Sequence, residues 1–386
     1  MNFHGIPGTV VFVSAFYNRT GLAGSARAWV KTLHDGGVRV RVVSVNDVQP
    51  GVDDFDMELF HALEQTPIVA PVTAIFFHNP TQDWLDVELP EPHVRIMLTG
   101  FVGENVPPDW IDICNQMDQI CVMSDSERTN WIKSGANTSR LATMPGGPNP
   151  WLNMHIHPIP DKPKRKGNKN FRFLSLGTFS PNRRWDALIQ AYLEEFKTDP
   201  DTELYLRVNY PDWHPVPGGP KKDLEDLIAR LRRETSSQAQ ISIDDSMGTR
   251  MDIMALLDSA DLYVSTDVAY TATIVEAICR HVPVALVAYV YKDAPPMVKH
   301  CLPIMGGAEK GTIEVAGEML NYLPQYTGVS WPKLGIGEIR SVLRKVYNLD
   351  AAERREIGKQ GYYGNFCITY GEDFVGRMAG VIKRAW

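Results

Sequence analysis

Phe171 to Phe196 reads FRFLSLGTFSPNRRWDALIQAYLEEF. The apolar run 171–176 predicts a buried strand. Gly177 ends it, a loop carries the basic pair Arg183 and Arg184, and an amphipathic helix is predicted over 185–196. Ser265 to Pro283, STDVAYTATIVEAICRHVP, is its complement. Residues 260–264 just before it are apolar enough for a second buried parallel strand. Thr271, Ala272 and Thr273 can open a helix whose unpaired N–H groups face that strand's carboxyl end. Glu276 is the one carboxylate on this helix. In open α/β sheets, that end of the strands is where phosphorylated ligands bind.

Working outward, strands are predicted at 203–208, 240–243 and 284–290, with helices at 222–235, 252–258 and 274–279 alternating between them. Such alternation makes a doubly wound α/β sheet. Pro211 to Pro220, PDWHPVPGGP, reads as a stiff loop, and helices over 336–347, 352–362 and 371–385 close the chain. The first half repeats the grammar. Thr9 to Ala15, TVVFVSA, is a continuous apolar strand to be covered on both faces. Leu22, Ala26, Trp29, Val30 and Leu33 recur at helical spacing, Gly36 and Gly37 cap that helix, and a strand follows at 38–45. Strands at 74–77, 95–99 and 119–124 and helices at 109–117 and 126–134 complete it, with His78 at the end of the strand over 74–77. A histidine there can bond a sugar hydroxyl or phosphate, or be structural.

At 386 residues the chain is long enough for two domains with separate cores, and a formal charge of -7 argues against nucleic-acid binding through bulk electrostatics. The exception is Lys162 to Lys169, KPKRKGNK, which reads as a solvated linker or as a contact for anionic lipid or another anionic acceptor. The 5 cysteines form no CxxC pair and read as reduced core residues of a cytoplasmic protein. No secretory signal is read at the N-terminus, and no apolar stretch has the length to cross a bilayer. Asp54-Phe55-Asp56 has DxD spacing without a following strand signal, and His155 and His157 have no third ligand nearby, so no metal site is assigned.

The two quoted segments together resemble the nucleotide-binding half of retaining glycosyltransferases of family four, which have the GT-B fold. In that family a strand ending in Gly leads to a loop whose Lys grips the donor diphosphate, then to a helix beginning near an Asp; Gly177, Arg183 and Asp186 stand at those places here. Thr20 to Arg27, TGLAGSAR, resembles the family's N-terminal signature, with Ala23 where its second glycine usually lies. PPDWIDICNQMDQICVMSDSERTNWIKSGA, residues 107–136, resembles its last N-terminal unit, and MPGGPNP, residues 144–150, its turn into the linker.

The resemblance implies two Rossmann-like, doubly wound domains facing across an interdomain cleft. Residues 1–160, with the helix over 371–386, would form the acceptor side, and residues 168–370 would bind the nucleotide sugar. It implies transfer of a sugar from a nucleoside-diphosphate donor to a hydroxyl acceptor with retention, without a metal or other cofactor. Arg183 would hold the diphosphate, an Arg keeping the role of the family's Lys through its paired N–H donors. Gly177, Arg184, the N–H groups of Gly21, Leu22 and Ala23, and those of Thr271, Ala272 and Thr273 would assist. Glu276 matches the second of the family's two glutamates and would clamp the ribose; His78 and Asp267 would act beside the reacting sugar. Two departures stand out: Val268 replaces the first glutamate, and Thr178 stands where an Arg often follows the strand-ending Gly. They keep open a catalytically silent relative that binds a glycan or partner, and a nucleotide-sugar epimerase. The acceptor is not legible.

Overall fold

The computed structural model of the chain describes residues 6–17, 21–45, 57–82, 86–90, 92, 94–101, 105–144, 171–209, 219–246, 250–267, 272–287, 301–304, 312–314, 330–369 and 373–385. Two compact units divide the chain: Met1–Ile156 with Asp293–Pro295 and Cys367–Trp386, and His157–Lys292 with Pro296–Phe366.

The first unit runs β1 (Thr9–Ser14), α1 (Gly21–Asp35), β2 (Val40–Ser44), α2 (Met57–Leu63), β3 (Val72–Phe77), β4 (Val94–Leu98), α3 (Pro108–Cys114), β5 (Gln119–Val122), α4 (Asp125–Lys133) and β6 (Leu141–Thr143). Its six strands are parallel in the order β2-β1-β3-β4-β5-β6. All of β1 is buried, as a strand with parallel neighbours and helices on both faces requires. Ala26, Trp29, Val30 and Leu33 of α1 reach the core around Phe12, Ile75 and Phe77.

In the second unit the order along the chain is β7 (Phe171–Thr178), α5 (Trp185–Glu195), β8 (Thr202–Asn209), α6 (Gly219–Thr235), β9 (Gln240–Asp244), α7 (Arg250–Asp258), β10 (Leu262–Ser265), α8 (Ala272–Cys279), β11 (Val284–Val287) and β12 (Leu302–Ile304). These strands form a second parallel sheet, β12-β11-β10-β7-β8-β9. A separate antiparallel pair joins β13 (Thr312–Glu314) to β14 (Ser330–Pro332). Then come α9 (Ile336–Asn348), α10 (Ala351–Thr369) and α11 (Asp373–Ala385). Met378, Val381 and Ile382 of α11 pack into the core of the first unit.

The second core gathers on Phe173, whose ring lies 5.8 Å from Tyr192 and 5.1 Å from Phe196. Each such fully buried side chain contributes about 1.5–3 kcal/mol by leaving water. Around this core α9 is held to α5 by Arg340 and Arg344, which donate to Glu195 at 3.0 and 2.7 Å.

The α/β alternation expected from the sequence is present. Several short elements were not expected. Only Phe60 and Leu63 of α2 are buried, too few to establish a period in the acidic run where it begins. β6 and β12 have three residues each and are defined by pairing with β5 and β11. α6 starts inside the stretch read as a stiff loop, because Pro220 in a first helical turn forfeits no hydrogen bond. α10 runs past the expected end at Tyr362. Its Gly358 lies against the His281 backbone carbonyl so closely that any side chain would collide. Cys114 and Cys121 are buried, and Cys279 and Cys301 partly buried. No helix among the described residues is long and apolar enough to cross a membrane.

Burial pushes the Glu195 carboxyl up, but the hydrogen bonds and charge of Arg344 and Arg340 outweigh it and hold the pKa below the usual carboxylate value. A depressed folded pKa stabilises above the unfolded value, and that stabilisation is lost as pH falls through the folded one. Glu195→Gln should therefore cost about 1 kcal/mol at pH 7. The gap from wild type in urea unfolding should close as pH is lowered through the carboxylate range.

Candidate functional site

In the second sheet the chain leaves β7 for β8 and β9 on one side, then returns to build β10, β11 and β12 on the other. The topological switch therefore lies between β7 and β10, which are hydrogen-bonded neighbours. At such a point successive connections diverge, and open α/β sheets bind ligands beyond the carboxyl ends of the two strands. The segments emerging there are 179–184 after β7 and 266–267 after β10.

Three consecutive residues, the last two of the first segment and the first of α5, point to three different anchors. Arg183 donates through Nη1 to the carboxylate of Asp267, whose side chain is only 2% exposed. Arg184 has φ 50° and ψ 36°, a left-handed conformation that costs a non-glycine residue roughly 1 kcal/mol, and its guanidinium meets Asp186 through Nε at 3.2 Å and Nη2 at 3.1 Å. Trp185 donates its indole N–H to Ser175 Oγ at 3.0 Å, fastening the start of α5 to β7. The two loops are also laced together directly. Thr266 Oγ1 donates to the Arg183 carbonyl at 2.7 Å, and Asn182 Nδ2 to Asp267 Oδ1 at 3.4 Å.

Gly177 makes room for this arrangement. At φ +155°, a methyl group built on it would lie 2.6 Å from Arg183 Cζ, 2.8 Å from Nε and 3.0 Å from Nη1. The guanidinium is thus laid across bare backbone. Its Nε is buried without a hydrogen-bond partner among the described residues.

The structure brings Gly177, Arg183 and Asp267 together. Arg184 is buried and turned to Asp186 at the start of α5. Ala272 opens α8, Thr273 is partly buried, and Glu276 lies one turn into the helix with 9% exposure. Thr271 and Val268 lie outside the described residues, as do Asp54 to Asp56, His155, His157 and Lys162 to Lys169. Among the described residues no three His, Cys, Asp or Glu side chains gather as metal ligands.

In the first sheet β1 lies between β2 and β3, so its switch point falls between β1 and β3. Ser14 Oγ donates to the Phe77 carbonyl at 2.8 Å and ties the two strand ends together. This sets Gly21, Leu22 and Ala23, the first turn of α1, after one strand and His78 after its neighbour. Arg27, buried on α1, donates to the Phe16 carbonyl and braces the loop between. His78 Nδ1 lies 3.3 Å from the Asn79 carbonyl. A donor there leaves Nε2 as the acceptor of the neutral ring. Burial lowers the His78 pKa to about 4, against the opposing pull of the Asn79 carbonyl.

Sequence reading did not single out Asn182, Thr266, Trp185 or Glu127. Glu127 was legible: Ser124 and Glu127 form a Ser-x-x-Glu capping pair, with Glu127 N–H donating to Ser124 Oγ at 3.1 Å and Met123 N–H to Glu127 Oε2 at 2.8 Å. Burial lifts its carboxyl to about 7, against the backbone N–H groups of Met123 and Ser124.

No protein-family model matches the sequence, and no curated protein matches it significantly. Solved structures do share its fold. The α,α-trehalose-phosphate synthase (UDP-forming) of Burkholderia vietnamiensis is 10% identical with a TM-score of 0.62, over 100% of this chain and 99% of the other. HepE of Anabaena in complex with UDP-glucose is 13% identical with a TM-score of 0.63, over 97% of this chain and 99% of that one. The N-terminal domain of the Candida albicans trehalose-6-phosphate phosphatase is 11% identical with a TM-score of 0.62, over 100% and 99%. The fold is GT-B. At such identities the likeness establishes the architecture alone.

Two outcomes follow. Gly177→Ala should expel the Arg183 guanidinium from its place against Asp267 and destabilise the protein by about 1–3 kcal/mol. A crystal structure of the variant and a denaturant melt check this. For His78, the unfolded chain takes up a proton near pH 6.5 and the folded one only near 4, so its contribution to stability falls as pH drops through that window. The ring should titrate near 4 by NMR, and His78→Gln should lose this part of the acid sensitivity.

Proposed function

We propose that the protein is a retaining glycosyltransferase that moves a sugar from a nucleoside-diphosphate donor to a hydroxyl acceptor. The observation carrying this reading is the Gly177, Arg183 and Asp267 arrangement at the β7/β10 switch point. Support also comes from a fold shared with HepE, which was solved with UDP-glucose.

Glycosyl transfer needs its departing diphosphate stabilised and its acceptor hydroxyl held near the anomeric carbon. Arg183 supplies a planar fork of N–H donors matched to phosphate oxygens, and the first turn of α8 adds backbone N–H groups. In this reading Glu276 accepts hydroxyl protons from the ribose and Asp267 from the transferred sugar. Arg184, held by Asp186, shapes the loop behind Arg183. On the first unit, the N–H groups of Gly21 to Ala23 and the neutral imidazole of His78 offer hydrogen-bonding partners for hydroxyls. The reading assigns no step to a metal.

A second reading, a silent relative that binds a glycan or partner, draws on a specific observation: the guanidinium meant for phosphate is already neutralised by Asp267. Thr178 and Val268 point the same way. Isothermal titration with a panel of nucleotide sugars separates the two, since a silent relative of this kind takes no donor. For the enzyme, Arg183→Ala and Glu276→Ala should each cut transfer about tenfold or more while circular dichroism stays native. Undiminished turnover in both variants would reject the assignment.

A further inference from the structure

The ion pair between Arg183 and Asp267 is more than a salt bridge beside a site, because it uses the group that a phosphate would need. Asp267 is 2% exposed and Arg183 19%. The guanidinium is confined from behind by the Gly177 backbone, and Asn182 Nδ2 holds the second carboxylate oxygen at 3.4 Å. A guanidinium this enclosed needs a counterion at all times, since removing one partner of a buried pair leaves a costly uncompensated charge.

Resting on the donor reading above, we infer that Asp267 is an internal stand-in for the donor's diphosphate: it occupies Arg183 when the site is empty and is exchanged for phosphate oxygens when a nucleoside diphosphate binds. The exchange keeps Arg183 neutralised in both states. It also frees the Asp267 carboxylate, without leaving the pocket, to accept from hydroxyls of the sugar attached to that diphosphate. A donor carrying a sugar thus satisfies both halves of the broken pair. A bare nucleoside diphosphate satisfies only Arg183 and leaves the buried carboxylate without its cation, so the device discriminates donor from spent nucleotide. Arg183 is a phosphate-binding residue in this scheme, and Asn182 is a positioning residue that holds the competitor in place.

The test is isothermal titration of UDP, GDP and ADP, and of their glucose conjugates, into wild type, Asp267→Asn, Asn182→Ala and Arg183→Ala. Asp267→Asn is isosteric and removes only the competing charge. It should bind the preferred bare diphosphate about tenfold more tightly than wild type, and its preference for the sugar conjugate over the bare diphosphate should shrink. Asn182→Ala, which loosens the carboxylate without removing it, should tighten bare-diphosphate binding by a smaller factor. That variant keeps the question answerable if Asp267→Asn does not fold. The gain should vanish when Arg183→Ala is added to Asp267→Asn. Binding by wild type that Arg183→Ala weakens, but that neither Asp267→Asn nor Asn182→Ala strengthens, overturns the exchange and leaves the donor reading standing. Absence of binding to all three nucleotides and their conjugates by every folded protein in the series overturns both.

Discussion

A guanidinium lying across a residue without a side chain, against a carboxylate removed from water, is the constraint on which the candidate site depends. Gly177 permits it by having no Cβ, the strand order places Arg183 and Asp267 on neighbouring loops, and Trp185 and Arg184 lock the loop that presents Arg183. Each element has its own cost: a left-handed arginine, a carboxylate stripped of water, a guanidinium nitrogen without a partner among the described residues. Such costs persist where the surrounding structure over-determines the geometry, and they cluster at sites that bind or react.

The surroundings do over-determine it. β7 is a central strand of its sheet, paired with β8 along its whole length, so its carboxyl end is held in place. Phe173, near the start of that strand, packs against Tyr192 of α5 and Phe196 just past the end of α5. The core thus supports both the strand and the helix that bracket the loop. The first sheet uses a similar plan with different chemistry. Its switch point carries a neutral histidine and a helix start instead of an ion pair.

How much of this was legible depended on the range of the interaction that decides each feature. The alternation of strands and helices was legible because each element has enough buried positions to set its own period. Glu127 was legible in principle because the members of a capping pair stand only three positions apart. The helix α2 and the strands β6 and β12 were not, being too short to carry a pattern and defined by what they pair with. The close packing of Gly358 in α10 turns on one carbonyl of a distant turn.

The sequence by itself determined the α/β class, the two-sheet plan and the residue types at each strand end, since apolar periodicity and glycine placement act between near neighbours along the chain. Through the family resemblance it named Gly177, Arg183, Asp267 and Glu276 as candidates for one site, without pairing Arg183 to Asp267. Only the tertiary structure decided that Arg183 and Asp267 are partners, 84 residues apart, and that Arg184 turns instead to Asp186. The first pairing arises where strand order brings two loops together, and strand order is settled by long-range packing that no local pattern encodes.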